Sequence, residues 1–407
     1  MRGDARGRGE SSSWPSGWRR LTLAEAGKWL SGGTPATSNE TYWDGDIPWI
    51  SGASMKEFHI KDSDRRVTLL GAKNGSRLVS RGTTLFVVRG MSLKSEFRIG
   101  VAERELAFGQ DCKAVIPADG IDPYFLAYAI KVRTPEILRM VEETSHGTGR
   151  LDTARLQELE IGVPSMAEQC RIVAANSAFE QRIAALEKSL EKLGIVRRGL
   201  IGDAMSGPFV RLGNLLSEKP RNGFSPPEVH EWTGLLTLGL GCLTPQGFIP
   251  RQLKRIPSTV QAEKFILSDG DFLMSRANTR ELVGLAGRFR DVGQPCIYPD
   301  LMMRLRPDSD RCLPSYLEIV LGTSAIRKAV QGAARGTSES MVKISSGVVE
   351  ALRIPLPALR VQEEIVAAVG ALDARIAKQG AAVAKLRVIQ EGVVEELLGG
   401  RRPELAA

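Results

Sequence analysis

Reactive side chains are scarce in this sequence: its 407 residues include five cysteines and three histidines. Cys112, Cys170, Cys242, Cys296 and Cys312 form no CxxC pair and are odd in number. A disulfide framework is therefore not expected, and with so few histidines neither is a zinc site. Buried, reduced thiols in a cytoplasmic protein are the expectation. Long apolar runs are missing too. No stretch reaches the eighteen residues of a membrane-spanning helix. The first 17 residues, MRGDARGRGESSSWPSG, are basic and small-residue rich without the apolar centre of a secretory signal, and read as a disordered leader.

Signatures of chemistry are equally thin. GAKNGSR (71–77) lacks the terminal Gly-Lys-Ser/Thr of a P-loop, and GLGCLTPQG (239–247) has too few spaced glycines for a cofactor loop. Asp122-Pro123-Tyr124-Phe125 resembles the Asp/Asn-Pro-Pro-aromatic tetrad that clamps a flipped base in amino-methyltransferases, but its second proline is absent. Helix capping is its expected role. Pro299-Asp300 is followed by no acidic-x-Lys of a nuclease. His59, His146 and His230 have no Ser or Cys partner at a diagnostic spacing. No catalytic residue and no metal ligand is predicted.

Positive charge is what the sequence does have. The formal net charge is +8. Residues 56–98 hold ten Lys/Arg against four Asp/Glu, and 251–290 hold eight against four. Two basic stretches, one in each half of the chain, suit contact with nucleic acid; a solvated surface is the alternative.

The second positive feature is a repeat. VPSMAEQCRIVAA (163–175) returns as LPALRVQEEIVAA (356–368). Residues 159–207 and 352–400 align without a gap at an offset of 193, with sixteen of forty-nine positions identical. Each copy begins with a proline-bearing extended lead and continues into a heptad seam. In the first copy the seam is Ile172, Asn176, Phe179, Ile183, Leu186, Leu190, Leu193, Arg197 and Leu200. In the second it is Ile365, Val369, Leu372, Ile376, Gln379, Val383, Leu386, Gln390, Val393 and Leu397. Asn176, Arg197, Gln379 and Gln390 interrupt it with polar groups, which cost stability and can fix register. Each helix would run about 55 to 60 Å at 1.5 Å per residue. Packing one against the other inside a single chain is the economical way to cover both stripes, and the seam leaves their relative direction open.

The segments ahead of the helices echo one another as well. RGTTLFVVRG (81–90) matches DGDFLMSRAN (269–278): a glycine turn, a strand, an arginine. FGQDCKAVIP (108–117) parallels YPDLMMRLRP (298–307), IDPYFLAYAI (121–130) parallels LPSYLEIVLG (313–322), and GTGRL (147–151) parallels GTSES (336–340). The chain reads as a tandem duplication of domain plus long helix, both domains α+β and strand-rich. The predicted division is a leader at 1–17, a first domain at 18–165, a central helix at 166–207, a second domain at 208–357, a distal helix at 358–400 and a tail at 401–407. Two similar heads on a helical rod suggest a reader of two separated DNA half-sites.

SGGTPATSNETYWDGDIPWIS (31–51), the two strand–Pro–Gln–Ile helix starts and GTSESMVKISSGVV (336–349) closely resemble the specificity subunits of type I restriction-modification systems. That resemblance covers nearly the whole chain, from about Trp18 to Gly400. It implies two target-recognition domains, each reading one half of an asymmetric, bipartite site in double-stranded DNA. It implies that the two helices pack as an intramolecular antiparallel coiled coil that fixes the unread spacer. It further implies a non-catalytic, cytoplasmic subunit with no membrane contact and no bound cofactor. The chemistry would sit on partners: modification subunits, expected as two, which methylate adenine N6 with S-adenosylmethionine, and restriction subunits, which translocate and cleave DNA with ATP and Mg²⁺. The alternatives are a coiled-coil scaffold without DNA specificity and a self-contained methyltransferase.

Base readout needs Arg/Lys, Asn/Gln or small hydroxyl side chains on loops or element ends. In the first domain the candidates are Lys73, Asn74 and Arg77 in a glycine-punctuated turn, and Arg89, Lys94 and Arg98 after the apolar strand. In the second, Arg276, Asn278, Thr279 and Arg280 stand at the matching place, with Arg251, Lys254 and Arg255 as phosphate contacts. For helix pairing and partner docking the candidates are Gln169, Ile172, Phe179, Ile183, Leu193, Gln362, Ile365, Leu372, Ile376 and Leu386.

Overall fold

The computed structural model describes residues 14–145, 147–336 and 341–399. Most of the predicted leader, His146, all but the first residue of GTSES, Gly400 and the 401–407 tail lie outside them. The chain divides into two compact units, one formed by the described residues up to Leu186 with those from Ala382 onward, the other by Glu187–Ala381.

In the first unit Gly82, at φ +87°, turns the chain into Thr84–Val87, whose four side chains are all buried. An L side chain rarely adopts that backbone, so the turn calls for glycine. The strand sits at the centre of a five-stranded sheet ordered Gly27–Ser31, Cys112–Pro117, Thr84–Val87, Ile99–Ala102, His59–Ile60. Only the last pair, Ile99–Ala102 with His59–Ile60, is parallel. A second sheet pairs Trp43–Ile50 with Leu106–Phe108 in parallel. Helix Pro123–Lys131 packs Phe125 and Leu126 into the core with Phe86 and Val115. Asp122 caps it, accepting from the N–H groups of Tyr124 and Phe125 at 2.9 and 3.0 Å. Pro123 fills the first turn, where no N–H is needed. The Asp-Pro-Tyr-Phe tetrad is a helix start.

The second unit repeats the plan. Gly270, also at φ +87°, leads into Phe272–Ser275, again wholly buried. The sheet runs Arg221–Asn222, Met302–Leu305, Phe272–Ser275, Ala286–Arg288, the same order of equivalent strands without the parallel edge. Leu236–Leu238 pairs in parallel with Cys296–Ile297, as Trp43–Ile50 does with Leu106–Phe108. Helix Pro314–Leu321 lays Tyr316 and Leu317 into a core with Phe272 and Leu305. Each buried side chain of this kind contributes about 1.5–3 kcal/mol. Both heads close identically. Arg19–Thr22 pairs with Glu160–Val163, and Phe209–Arg211 with Arg353–Pro355, so a long helix leaves each head from the same edge.

Those helices are Met166–Ala204, the central one, and Leu359–Leu398, the distal one. Every position of the two predicted seams is buried or half-buried. Within the first unit Gln390 Nε2 donates to Asn176 Oδ1 at 2.8 Å. Within the second, Arg197 forms a two-pronged ion pair with Asp373 at 2.5 and 3.1 Å. Contacts that ascend one helix descend the other, so the pair is antiparallel.

Candidate nucleic-acid interface

The predicted basic residues fall on two places in each head. Lys73 ends helix Leu69–Lys73, Asn74 caps it through Nδ2 to the Leu70 carbonyl at 2.9 Å, and Arg77 follows on the way to strand Leu78–Val79. All three are exposed, and neither Lys73 nor Arg77 has a side-chain partner among the described residues. Arg89, also exposed, stands on a separate three-stranded sheet, Val141–Glu143, Gly149–Leu151, Arg89–Gly90. Lys94 is paired with Glu143 at 2.7 Å. Arg98 is half-buried and held by Glu96 at 2.8 Å and the Gly52 carbonyl at 3.0 Å.

The second head divides in the same way. Arg251 is exposed without a side-chain partner among the described residues, Lys254 pairs with Glu228 at 2.8 Å, and Arg255 donates to the His230 carbonyl at 2.7 Å. Arg276, Asn278, Thr279 and Arg280 are half-buried beside strand Ala277–Asn278. Arg276 donates to the Asp300 carbonyl at 3.3 Å, Arg280 to the Gln331 carbonyl at 3.0 Å, and Asn278 Oδ1 accepts from the Thr279 N–H at 2.9 Å. Arg98, Arg276 and Arg280 thus brace their own loops, while Lys73, Arg77, Arg89 and Arg251 present their charge to solvent.

Register adds residues that spacing did not single out. Arg150 lies directly across from Arg89 in one ladder, and Lys343 from Ala277 in the equivalent ladder of the second head. Arg335 bridges to Lys343 from its other side. The pairing of GTGRL with GTSES set Arg150 against Glu339, whereas the offset of 193 that relates the helices sets it against Lys343, as the strand register does.

The helix starts are joined to their heads by a matched pair of glutamines. Gln169 Nε2 donates to the carbonyls of Gly120 and Pro164, both at 3.0 Å, and Oε1 accepts from the Asp122 N–H at 2.8 Å. Gln362 Nε2 donates to the carbonyls of Arg311 and Pro357 at 3.0 and 2.9 Å, and Oε1 accepts from the Leu313 N–H at 2.9 Å. Both side chains are fully buried. Predicted for helix pairing, they bond instead to the head from which each helix leaves. Of the other predicted pairing residues, Ile172, Ile183 and Leu193 are buried, whereas Phe179, Ile365, Leu372, Ile376 and Leu386 are half-buried.

In the first unit a polar chain runs from both helices into the head. Asn176, which receives Gln390, donates to Glu180 at 3.0 Å; Glu180 meets His59 Nε2 at 3.1 Å; His59 Nδ1 meets Glu103 at 2.6 Å. Tyr124 donates to Glu103 at 3.0 Å, Tyr128 to Glu180 at 3.3 Å, and Arg81 lies 3.6 Å from Glu103. Burial, the largest single influence, works against a charged imidazole, but the bonds to and attraction from Glu103 and Glu180 together outweigh it and raise the His59 pKa. Burial likewise opposes the charge on Glu103, and its bonds to His59 and Tyr124 overcome that and lower its pKa.

Four of the five thiols are held inside the heads. Cys112, Cys242, Cys296 and Cys312 are buried, and burial pushes the thiols of Cys112 and Cys296 up to about 12 and that of Cys312 to about 11. Cys170, expected to be buried, is exposed on the central helix. Among the described residues no group of His, Cys, Asp and Glu is placed to hold a metal, and no helix is long and apolar enough to cross a membrane.

With the repeated heads and the paired helices in place, the relatives are informative. The type I restriction modification DNA specificity domain matches residues 15–193. Over that stretch the chain carries a domain of the type I restriction-modification specificity family. The EcoR124I/EcoR124II specificity subunit of Escherichia coli is 30% identical over 173 residues, 42% of this chain and 43% of that protein. The MjaIX specificity subunit of Methanocaldococcus jannaschii is 29% identical over 190 residues, 44% of this chain and 43% of that protein. Each match therefore spans less than half of the relative's length. The S subunit of a type I restriction-modification system from M. genitalium shares the fold across both heads, with a TM-score of 0.58 over 94% of this chain and 96% of that one at 15% identity. The matched family model describes a DNA specificity domain.

Proposed function

We propose that this chain selects the DNA sequence on which a type I restriction-modification complex acts. Each head reads one half of an asymmetric, bipartite duplex site, and the antiparallel helices set the unread spacer. The helix pair and adjacent surfaces carry two modification subunits, which supply S-adenosylmethionine and methylate adenine N6, and the assembly recruits restriction subunits that use ATP and Mg²⁺ in the cytoplasm. The observation that carries this reading is the duplication itself. The same strand order, the same glycine turn and the same buried glutamine occur twice, each followed by a long helix. Two equivalent readers on paired helices suit a split target, whose half-sites lie at a distance set by the protein.

Single-molecule mapping of N6-methyladenine in a host carrying the chain with its genomic neighbours tests this, against a deletion of this chain alone. Loss of a split, asymmetric methylated motif on deletion is the expected result. An unchanged methylation pattern would overturn the reading.

A further inference from the structure

The short third sheet of each head sets positive charges against one another. In the first head Arg150, on Gly149–Leu151, is the register partner of Arg89 on the neighbouring strand. In an antiparallel ladder directly opposite residues share a face, and like charges placed so are destabilising. Both side chains are exposed, and neither has a side-chain partner among the described residues. One carboxylate, Glu142, stands opposite Arg150 on the other flank, and Lys94 nearby is occupied by Glu143.

The second head repeats the pattern through different residues. Lys343 occupies the position of Arg150, since Lys343 faces Ala277 as Arg150 faces Arg89. Here the second cation comes from the opposite flank: Arg335 exchanges backbone hydrogen bonds with Lys343 at 2.9 and 2.8 Å and takes the place held by Glu142 in the first head. Arg335 and Lys343 are exposed. The guanidinium of Arg335 donates only to backbone carbonyls, of Gly332 at 3.1 Å and Ala334 at 3.5 Å, so its charge has no carboxylate against it among the described residues.

Both heads thus set two cations side by side on neighbouring strands, by different residues, and in each the described charges of the ladder sum to a net positive value that an external anion would relieve. We infer that Arg150 with Arg89, and Lys343 with Arg335, are equivalent two-cation ladders that grip the phosphate backbone of duplex DNA. The inference rests on the DNA-reading function proposed above. It assigns Arg89 to positioning rather than base readout, and it adds three residues. Phosphate contacts of this kind orient each head and carry no sequence information.

The test uses the full chain and a long duplex of arbitrary sequence, titrated from about 50 to about 200 mM salt. Arg150→Gln and Lys343→Gln should each flatten the slope of log affinity against log salt by about 0.9, with the losses adding in the double variant. Arg150→Lys, which keeps the charge, should retain the wild-type slope. A double variant with the wild-type slope would overturn the ladders while leaving the DNA reader standing. A wild-type chain with no salt-dependent duplex binding would overturn the reader and the ladders together. The methylated motif of the Arg150→Gln strain should be unchanged, because a phosphate contact weakens all sequences alike; an altered motif would place Arg150 at a base and also overturn the assignment.

Discussion

The two units use one anchor and two different clasps. Gln169 and Gln362 make the same three bonds to equivalent backbone groups. Two to three helical turns further along, the likeness ends. At the repeat offset of 193, Asn176 and Glu180 correspond to Val369 and Asp373, and Gln390 corresponds to Arg197. The first unit builds from these positions a hydrogen-bonded layer that His59 extends into its head. The second builds one exposed ion pair between the helices. A buried polar side chain is constrained by every partner that would be orphaned without it, so the two copies match there. At the more exposed positions of the clasps water can replace a lost partner and the copies differ, and at the buried pair Asn176/Val369 a polar group that carries its own partners gives way to an apolar one.

That contrast can be broken most forcefully at the anchors. Gln169→Ala leaves the Asp122 N–H and the carbonyls of Gly120 and Pro164 without their partner inside the fold. At about 1–3 kcal/mol for each buried orphan, partly relieved by relaxation, a loss of about 3 kcal/mol is expected from chemical denaturation. Gln362→Ala should cost the same. Unequal costs would show that the anchors are alike in geometry only.

The clasp of the first unit should instead respond to pH. The raised pKa of His59 means its contribution is full below the ordinary value of 6.5 and is lost as pH rises through the higher folded value. Glu103, lowered, contributes above its ordinary 4.5 and loses that as pH falls through the depressed folded value. Around that histidine lie Glu103, Glu180, Arg81, Tyr124 and Tyr128. The stability gap between wild type and His59→Gln, read from melting curves, should therefore be widest on the acid side of neutrality and shrink towards pH 9. A gap that is constant with pH would remove the charged histidine from the account. The smallest effect is expected in the second unit. Asp373→Asn breaks a pair whose side chains are 38% and 47% exposed, so it should cost about 0–1 kcal/mol and fade with added salt.

Much of this was legible along the chain. The heptad stepping found the covered face of both helices, including the polar positions Asn176, Arg197, Gln379 and Gln390, because a 3.5-residue period is a local property. Asp122-Pro123 was readable as a helix start for the same reason. The roles of individual cations were not readable. Arg98, Arg276 and Arg280 look in sequence like Arg89 and Arg251, yet each is tied to a carbonyl or carboxylate brought from elsewhere in the chain. Gln169 and Gln362 were visible as a repeated pair, but their carbonyl partners at Gly120 and Arg311 lie 49 and 51 residues away.

By itself, then, the sequence determined the duplication, the two long helices, the strand-rich heads and the positive stretches, since periodicity, turn residues and charge act over short spans. The heptad seam left the direction of the helices open and the family resemblance implied that they run antiparallel, as they do; the tertiary structure alone decided that the glutamines belong to the heads and that Arg150 and Lys343 stand beside other cations. Those outcomes depend on strand register and on which distant group reaches a side chain first, and neither is encoded in any short window of the chain.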